Sequence, residues 1–109
     1  MTEIVVGAGD NGRLVAVSVG DSVRIELPEN PTTGFRWRME PSSLGDVSAL
    51  RLQSVEYQMA DAAGVGGGGR REYRFSAVAR GHASLRLELL REWEGQAARE
   101  TFVITVDVR

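Results

Sequence analysis

The sequence predicts an all-β fold, an immunoglobulin-like antiparallel β-sandwich of seven to eight strands, on three observations. Apolar residues recur at every second position over most of the chain, and nowhere at helical spacing. The alternating runs are short and bounded by Gly, Pro, Asn and Asp, the residues that reverse a chain. Seven or eight such runs within about 100 residues are the density of a two-sheet sandwich.

Taken in order, an apolar run at residues 4–6 is followed by the turn sequence Gly9-Asp10-Asn11-Gly12 and a second run at 14–19. Val23, Ile25 and Leu27 then alternate with Ser22, Arg24 and Glu26, and Phe35, Trp37 and Met39 alternate with Arg36, Arg38 and Glu40. The segment 50–59 alternates in two phases, Leu50 and Leu52 and then Val55, Tyr57 and Met59, which predicts a bulge at Gln53 or Ser54. Tyr73, Phe75, Ala77 and Ala79 form the next inward face. Ala83, Leu85, Leu87 and Leu89 form another, and Phe102, Ile104, Val106 and Val108 the last. No periodic helix is visible; the stretch Pro41-Ser42-Ser43-Leu44-Gly45-Asp46 has room for one turn.

The chain of 109 residues is read as one domain over 1–109, large enough to bury roughly two thirds of the surface its unfolded form exposes. Cys is absent, which excludes disulfides, thiolate metal sites and a cysteine nucleophile. Thirteen Lys and Arg against 15 Asp and Glu, spread along the chain, give a net charge of −2 and no basic stripe for nucleic acid. No run approaches the ~20 apolar residues of a membrane helix. Met1-Thr2-Glu3 does not open a signal sequence. The expected location is therefore cytoplasmic if the chain is complete, and secreted or periplasmic if a leader has been removed.

Function is expected at one end of the sandwich. In an antiparallel chain every connection reverses direction, so alternate connections emerge together. Asn30-Pro31-Thr32-Thr33-Gly34, Gly66-Gly67-Gly68-Gly69 and Arg91-Glu92-Trp93-Glu94-Gly95 occupy alternate connections, which is the layout of a loop-borne binding surface. Pro31 requires an extended Asn30, and Gly34 can take the positive φ that returns the chain to the strand at Phe35. Two consecutive threonines at the apex are poor turn formers and suggest recognition. The glycine run reads either as a loose hairpin tip or as backbone able to lie flat against a partner; no helix or Lys-Ser/Thr follows it to cradle phosphate.

The two tryptophans separate. Trp37 falls in the inward phase of its strand, whereas Trp93 lies in a polar loop where an exposed aromatic is a hot-spot candidate. The single histidine, His82, follows the turn Arg80-Gly81 at the opposite end, as a solvated strand-start residue. Asp61 and Glu94 near the tip are solvated charges without a cleft. With no nucleophile–base pair and no ligand cluster, the sequence points away from an enzyme, and no cofactor or metal is expected.

Asn-Pro-Thr-Thr-Gly-Phe at 30–35, Gly-Gly-Gly-Gly-Arg-Arg-Glu-Tyr-Arg-Phe at 66–75 and Arg-Glu-Trp-Glu at 91–94 resemble, in this order and spacing, the three signature loops of the chagasin family of cysteine peptidase inhibitors. The match extends through Ala77-Val78-Ala79-Arg80-Gly81. The resemblance implies a monomeric, reversible inhibitor whose partners are papain-like cysteine peptidases, with no nucleic-acid or membrane partner. It implies that Asn30, Pro31, Thr32, Thr33, Gly34 and Phe35 form the loop entering the catalytic cleft, with Thr32 nearest the catalytic pair. Gly66, Gly67, Gly68 and Gly69 would run along the non-primed side, and Arg91, Trp93 and Glu94 would belong to the primed-side loop. The sequence departs from the family pattern at Glu92, where relatives carry proline, and Gly67 fills the free position of the second motif. The alternative reading is a non-inhibitory β-sandwich binding module for carbohydrate or protein, but stacking on a sugar calls for two or three aromatics and the loops offer Trp93.

Overall fold

The computed structural model describes residues 1–39, 49–59, 68–91 and 98–109. Eight strands alternate in direction along the chain: β1 (Glu3–Gly7), β2 (Leu14–Val17), β3 (Ser22–Glu29), β4 (Arg36–Met39), β5 (Leu50–Met59), β6 (Gly69–Ala77), β7 (Gly81–Leu90) and β8 (Glu100–Val108). They form two four-stranded sheets, ordered β1-β3-β6-β5 and β2-β8-β7-β4. The predicted strand runs all form. The only helical pieces among the described residues are 3-10 turns at Ala8–Asp10 and Pro31–Thr33. The stretch 41–46 lies outside the described residues.

The two pairings at the amino-terminal edge, β1 with β3 and β2 with β8, are parallel, where the sequence led us to expect antiparallel neighbours throughout. The reversals are present, but β1, β2 and β3 switch sheets at each step. Strands an even number of steps apart in the chain, two for β1 and β3 and six for β2 and β8, run the same way and become neighbours. The turn at 9–12 is consequently a crossing between sheets. Asp10 organises it by accepting from the Gly7 amide at 2.9 Å and pairing with Arg13, and Gly12 takes a φ of 85°. The second run ends at Val17, two residues short of its sequence limit, because Asp21 accepts from the Ser18 amide and closes a turn there.

Inward-facing residues of both sheets make the core. Val23, Ile25, Phe75, Leu85, Leu87, Ile104 and Val106 are wholly shielded, and Tyr73, Ala77, Ala83, Phe102 and Val108 are buried beside them. Each such aliphatic or aromatic side chain contributes roughly 1.5–3 kcal/mol by leaving water. The register of β5 on β6 shifts between Leu52 and Ser54, at the predicted bulge. Past it, Val55 and Met59 are 45% and 77% exposed although they share the inward phase. β5 is an edge strand of ten residues, whereas β4, one of the two edge strands of the other sheet, has four.

Trp37 is buried, as its phase predicted. His82 lies at the start of β7 opposite Asp107, exposed, with its Nδ1 at 3.3 Å from the aspartate. This end of the molecule is the one away from the connections that follow β3, β5 and β7.

Candidate functional site

The connections after β3, β5 and β7 leave from one end of the sandwich, which the ladders fix directly: Glu29 stands opposite Gly69, Gly69 opposite Met59, Arg36 opposite Leu90 and Leu89 opposite Glu100. The crossing at 8–13 emerges there too, and the side chain of Asn11 ties it to β8 by accepting from the Val103 amide at 2.8 Å. Of the sequence-predicted site residues, Asn30 to Phe35, Gly68, Gly69 and Arg91 come together at this tip. Gly66, Gly67, Trp93 and Glu94, and the departure at Glu92, lie outside the described residues.

The first loop is built from its own side chains. Asn30 is extended, with φ −116° and ψ 106°, as the following proline requires. Its Oδ1 accepts from the Thr32 amide at 3.0 Å and the Thr32 hydroxyl at 2.7 Å, capping a single 3-10 turn. The Thr33 hydroxyl donates to the Asn30 carbonyl at 2.8 Å and accepts from the Phe35 amide at 3.3 Å. Gly34 closes the turn at φ 80°, a left-handed conformation that disfavours any residue with a Cβ. The paired threonines thus have a structural use that the sequence reading did not assign: their hydroxyls turn inward to hold the apex, and their outer faces are left to solvent.

The stems of the third loop lean on the first. Arg91 donates from Nε to the Thr33 carbonyl at 2.9 Å, and its guanidinium lies over the Phe35 ring at 4.3 Å. Arg99, on the far stem of the third loop, stands over the same ring at 5.1 Å, and its amide donates to Leu89 at 2.8 Å. Phe35 is therefore held between the two stems of the third loop. Pro28, Phe35 and Leu89 line a groove of about 430 Å³ at the centre of the tip, walled by Asn30, Gly68 and Arg99.

The two described glycines have different reasons to be glycine. A Cβ on Gly68 would meet open space. A Cβ on Gly69 would collide with the Gln58 carbonyl and lie 2.5 Å from the Tyr57 hydroxyl. Gly69 is thus required by packing within the protein, whereas the space beside Gly68 is open.

Beneath the loops is a polar cluster that the sequence reading missed. Glu29, the last residue of β3, is buried, and its carboxylate accepts from the Trp37 amide at 2.7 Å and is held by Arg71. The signal was present in the sequence. Glu29 and Arg71 each occupy the inward phase of a strand whose other large inward residues are apolar or aromatic, and they carry opposite charges.

The tip offers shape, backbone groups and a stacked aromatic, and the described residues contain no group of His, Cys, Asp or Glu able to hold a metal ion. Residues 16–106 match the family described as Chagasin family peptidase inhibitor I42. The chain belongs to the chagasin family of peptidase inhibitors. Chagasin of Trypanosoma cruzi is 33% identical over 86 residues, covering 78% of each chain. Among solved structures, a cysteine protease inhibitor of Entamoeba histolytica superposes with a TM-score of 0.85 over 100% of this chain and 97% of that one at 21% identity, and establishes the fold. Amebosin matches at a TM-score of 0.75 and 28% identity over 98% of both chains. In this chagasin-family domain the Asn-Pro-Thr-Thr-Gly-Phe motif forms the capped turn at the tip.

Proposed function

We propose that this domain reversibly inhibits papain-like cysteine peptidases by inserting the turn Asn30–Gly34 into the catalytic cleft, with the glycine-rich loop and the Trp93 loop resting on either side. The observation that carries the reading is the first loop itself: an apex capped by Asn30 and latched by Arg91, whose shape is held by hydrogen bonds from its own side chains and from Arg91. A pre-shaped apex loses little conformational freedom on docking. Occlusion needs no chemistry from the inhibitor. The bare backbone at Gly68 can exchange main-chain hydrogen bonds with an extended enzyme segment, and Trp93 supplies a large apolar anchor.

Titration of papain or a cathepsin L-type enzyme tests it. Sub-micromolar inhibition is expected, on the order of −8 kcal/mol or better, with trypsin unaffected. Replacing Thr32 by Glu and Thr33 by Arg should abolish inhibition while shifting the melting temperature by only a few degrees, since the apex lies outside the core. Inhibition of trypsin but not papain, or of neither, overturns the reading.

A further inference from the structure

The first loop joins two sheets. It leaves the first sheet at Glu29 and enters the second at Arg36, and because β3 pairs with β1 and β6 while β4 pairs with β7, no strand ladder closes its stems. Two hydrogen bonds do so instead. The Trp37 amide donates to Glu29 Oε1, and the Trp37 indole donates to the Pro28 carbonyl at 2.8 Å. The spacing of the stems depends on where the Glu29 carboxylate points.

That direction is fixed by β5 and β6, the two strands that carry the glycine-rich loop. Arg71, two residues beyond Gly69, places Nη2 at 2.5 Å from Oε2 and Nε at 3.3 Å from Oε1 of Glu29, a two-pronged pairing that allows one orientation of the carboxylate. Tyr57, two residues before Met59 on the other stem, passes across Gly69, with its hydroxyl 3.4 Å from the Glu29 carbonyl and its ring 5.4 Å from the Arg71 guanidinium. The Glu29 side chain is 1% exposed and that of Arg71 20%. Where only stability is at stake, such a buried pair is generally replaceable by apolar residues at no loss. What apolar residues cannot supply is an acceptor for the Trp37 amide held at a set angle.

We infer that the Glu29–Arg71 ion pair is a positioning element that locks the first loop to β5 and β6, the strands that carry the glycine-rich loop, so that the first loop meets a peptidase preorganised. The inference rests on the inhibitory reading for its functional half. Breaking the pair lets the stems part and the carboxylate turn to water, and the apex then spends most of its time in arrangements that do not dock.

The test uses Glu29→Gln, Arg71→Met and the double variant. In Glu29→Gln one oxygen can still serve Trp37, but the amide NH2 then faces the Arg71 guanidinium, donor against donor. Solvent exchange of the Thr32, Thr33, Gly34 and Trp37 amides, measured by NMR, should quicken by roughly tenfold in Glu29→Gln. Core amides such as Phe75 and Ile104 should keep their rates. The inhibition constant against papain should rise by roughly tenfold, mainly through slower association, because fewer molecules hold the docking conformation. The double variant should be no weaker than the worse single one, as expected of coupled groups. If Arg71→Met fails to fold because it strands a buried carboxylate, Glu29→Gln and the double variant carry the comparison. Unchanged loop exchange in Glu29→Gln overturns the positioning role, as does equal acceleration of loop and core amides. Loosened loops with an unchanged inhibition constant overturn its functional half. A parent protein that leaves papain active overturns the inhibitory reading, and the exchange rates still decide the positioning role.

Discussion

The indole N–H of Trp37 donates to the backbone carbonyl of Pro28 at 2.8 Å, so a core tryptophan of the second sheet is hydrogen-bonded to the strand of the first sheet that leads into the binding loop. Its main chain is engaged as well: the Tyr73 hydroxyl donates to the Trp37 carbonyl at 3.1 Å. One residue thus fills the core and ties the two sheets together just below the tip.

Trp37→Phe should separate these roles. Phenylalanine keeps most of the buried volume but leaves the Pro28 carbonyl without its donor, at a cost of about 1 kcal/mol. A thermal melt should show a fall of roughly 5 °C for a domain of this size. Trp37→Ala adds a cavity and should cost about 3–5 kcal/mol. A Phe variant that melts with the parent would show that the indole bond adds nothing beyond packing.

Gly69 and Gly68 offer a contrast between neighbours. Gly69→Ala drives a methyl into the Gln58 carbonyl and the Tyr57 ring and should cost about 1–3 kcal/mol in a urea titration. Gly68→Ala meets open space and should leave stability within about 0.5 kcal/mol, while weakening inhibition if an enzyme backbone lies against it. Equal stability for the two variants would contradict the packing assigned to Gly69.

These residues also mark where sequence reasoning reaches and where it stops. Period-two alternation sufficed for the strands, the bulge at 52–54 and the buried Trp37, because a strand's side-chain period is fixed by backbone geometry. Pro31 and Gly34 announced their own dihedral angles. The parallel pairing of β1 with β3 was not legible, because alternation reports which face a residue occupies and not which strand lies beside it. Nor did alternation by itself disclose what the threonine hydroxyls hold, or that Tyr57 crosses Gly69. The threonine bonds are local, but alternation does not say where a hydroxyl points. The Tyr57 contact joins distant residues, and of such contacts the sequence carries only traces, such as the charges of Glu29 and Arg71 at inward positions.

Acid should destabilise the domain. Burial opposes ionisation of Glu72, but hydrogen bonds from Arg70 and Arg74 outweigh it and hold the carboxyl below its ordinary 4.5. Asp21 is held below 3.8 by the Ser18 and Thr2 amides, and Asp10 by the Gly7 amide and then Arg13. A folded-state value below the unfolded one gives stability that is present above the unfolded value and lost as pH falls through the folded one. Melting temperature should therefore be flat from pH 7 to about 5 and decline progressively below 4.5. Glu72→Gln should lower the plateau and make the acid limb shallower. An unchanged limb would assign the acid loss to other carboxylates.

Arg91 links the third loop to the first by a hydrogen bond to the Thr33 carbonyl and by lying over Phe35, and only a planar guanidinium can do both. Arg91→Lys keeps the charge and loses the fork. Stacking at an exposed site contributes about 0.5–1 kcal/mol, so papain inhibition should weaken by roughly fivefold once the bond to Thr33 is also loosened. The melting temperature should hold, because neither residue belongs to the central core. Phe35→Leu removes the ring from both Arg91 and Arg99 and should weaken inhibition to a similar degree. The double variant should lose less than the sum of the two, since each change disables the same contact. If Arg91→Lys weakens inhibition while Phe35→Leu leaves it intact, Arg91 acts by touching the enzyme directly, and the coupling of the two loops through Phe35 is wrong.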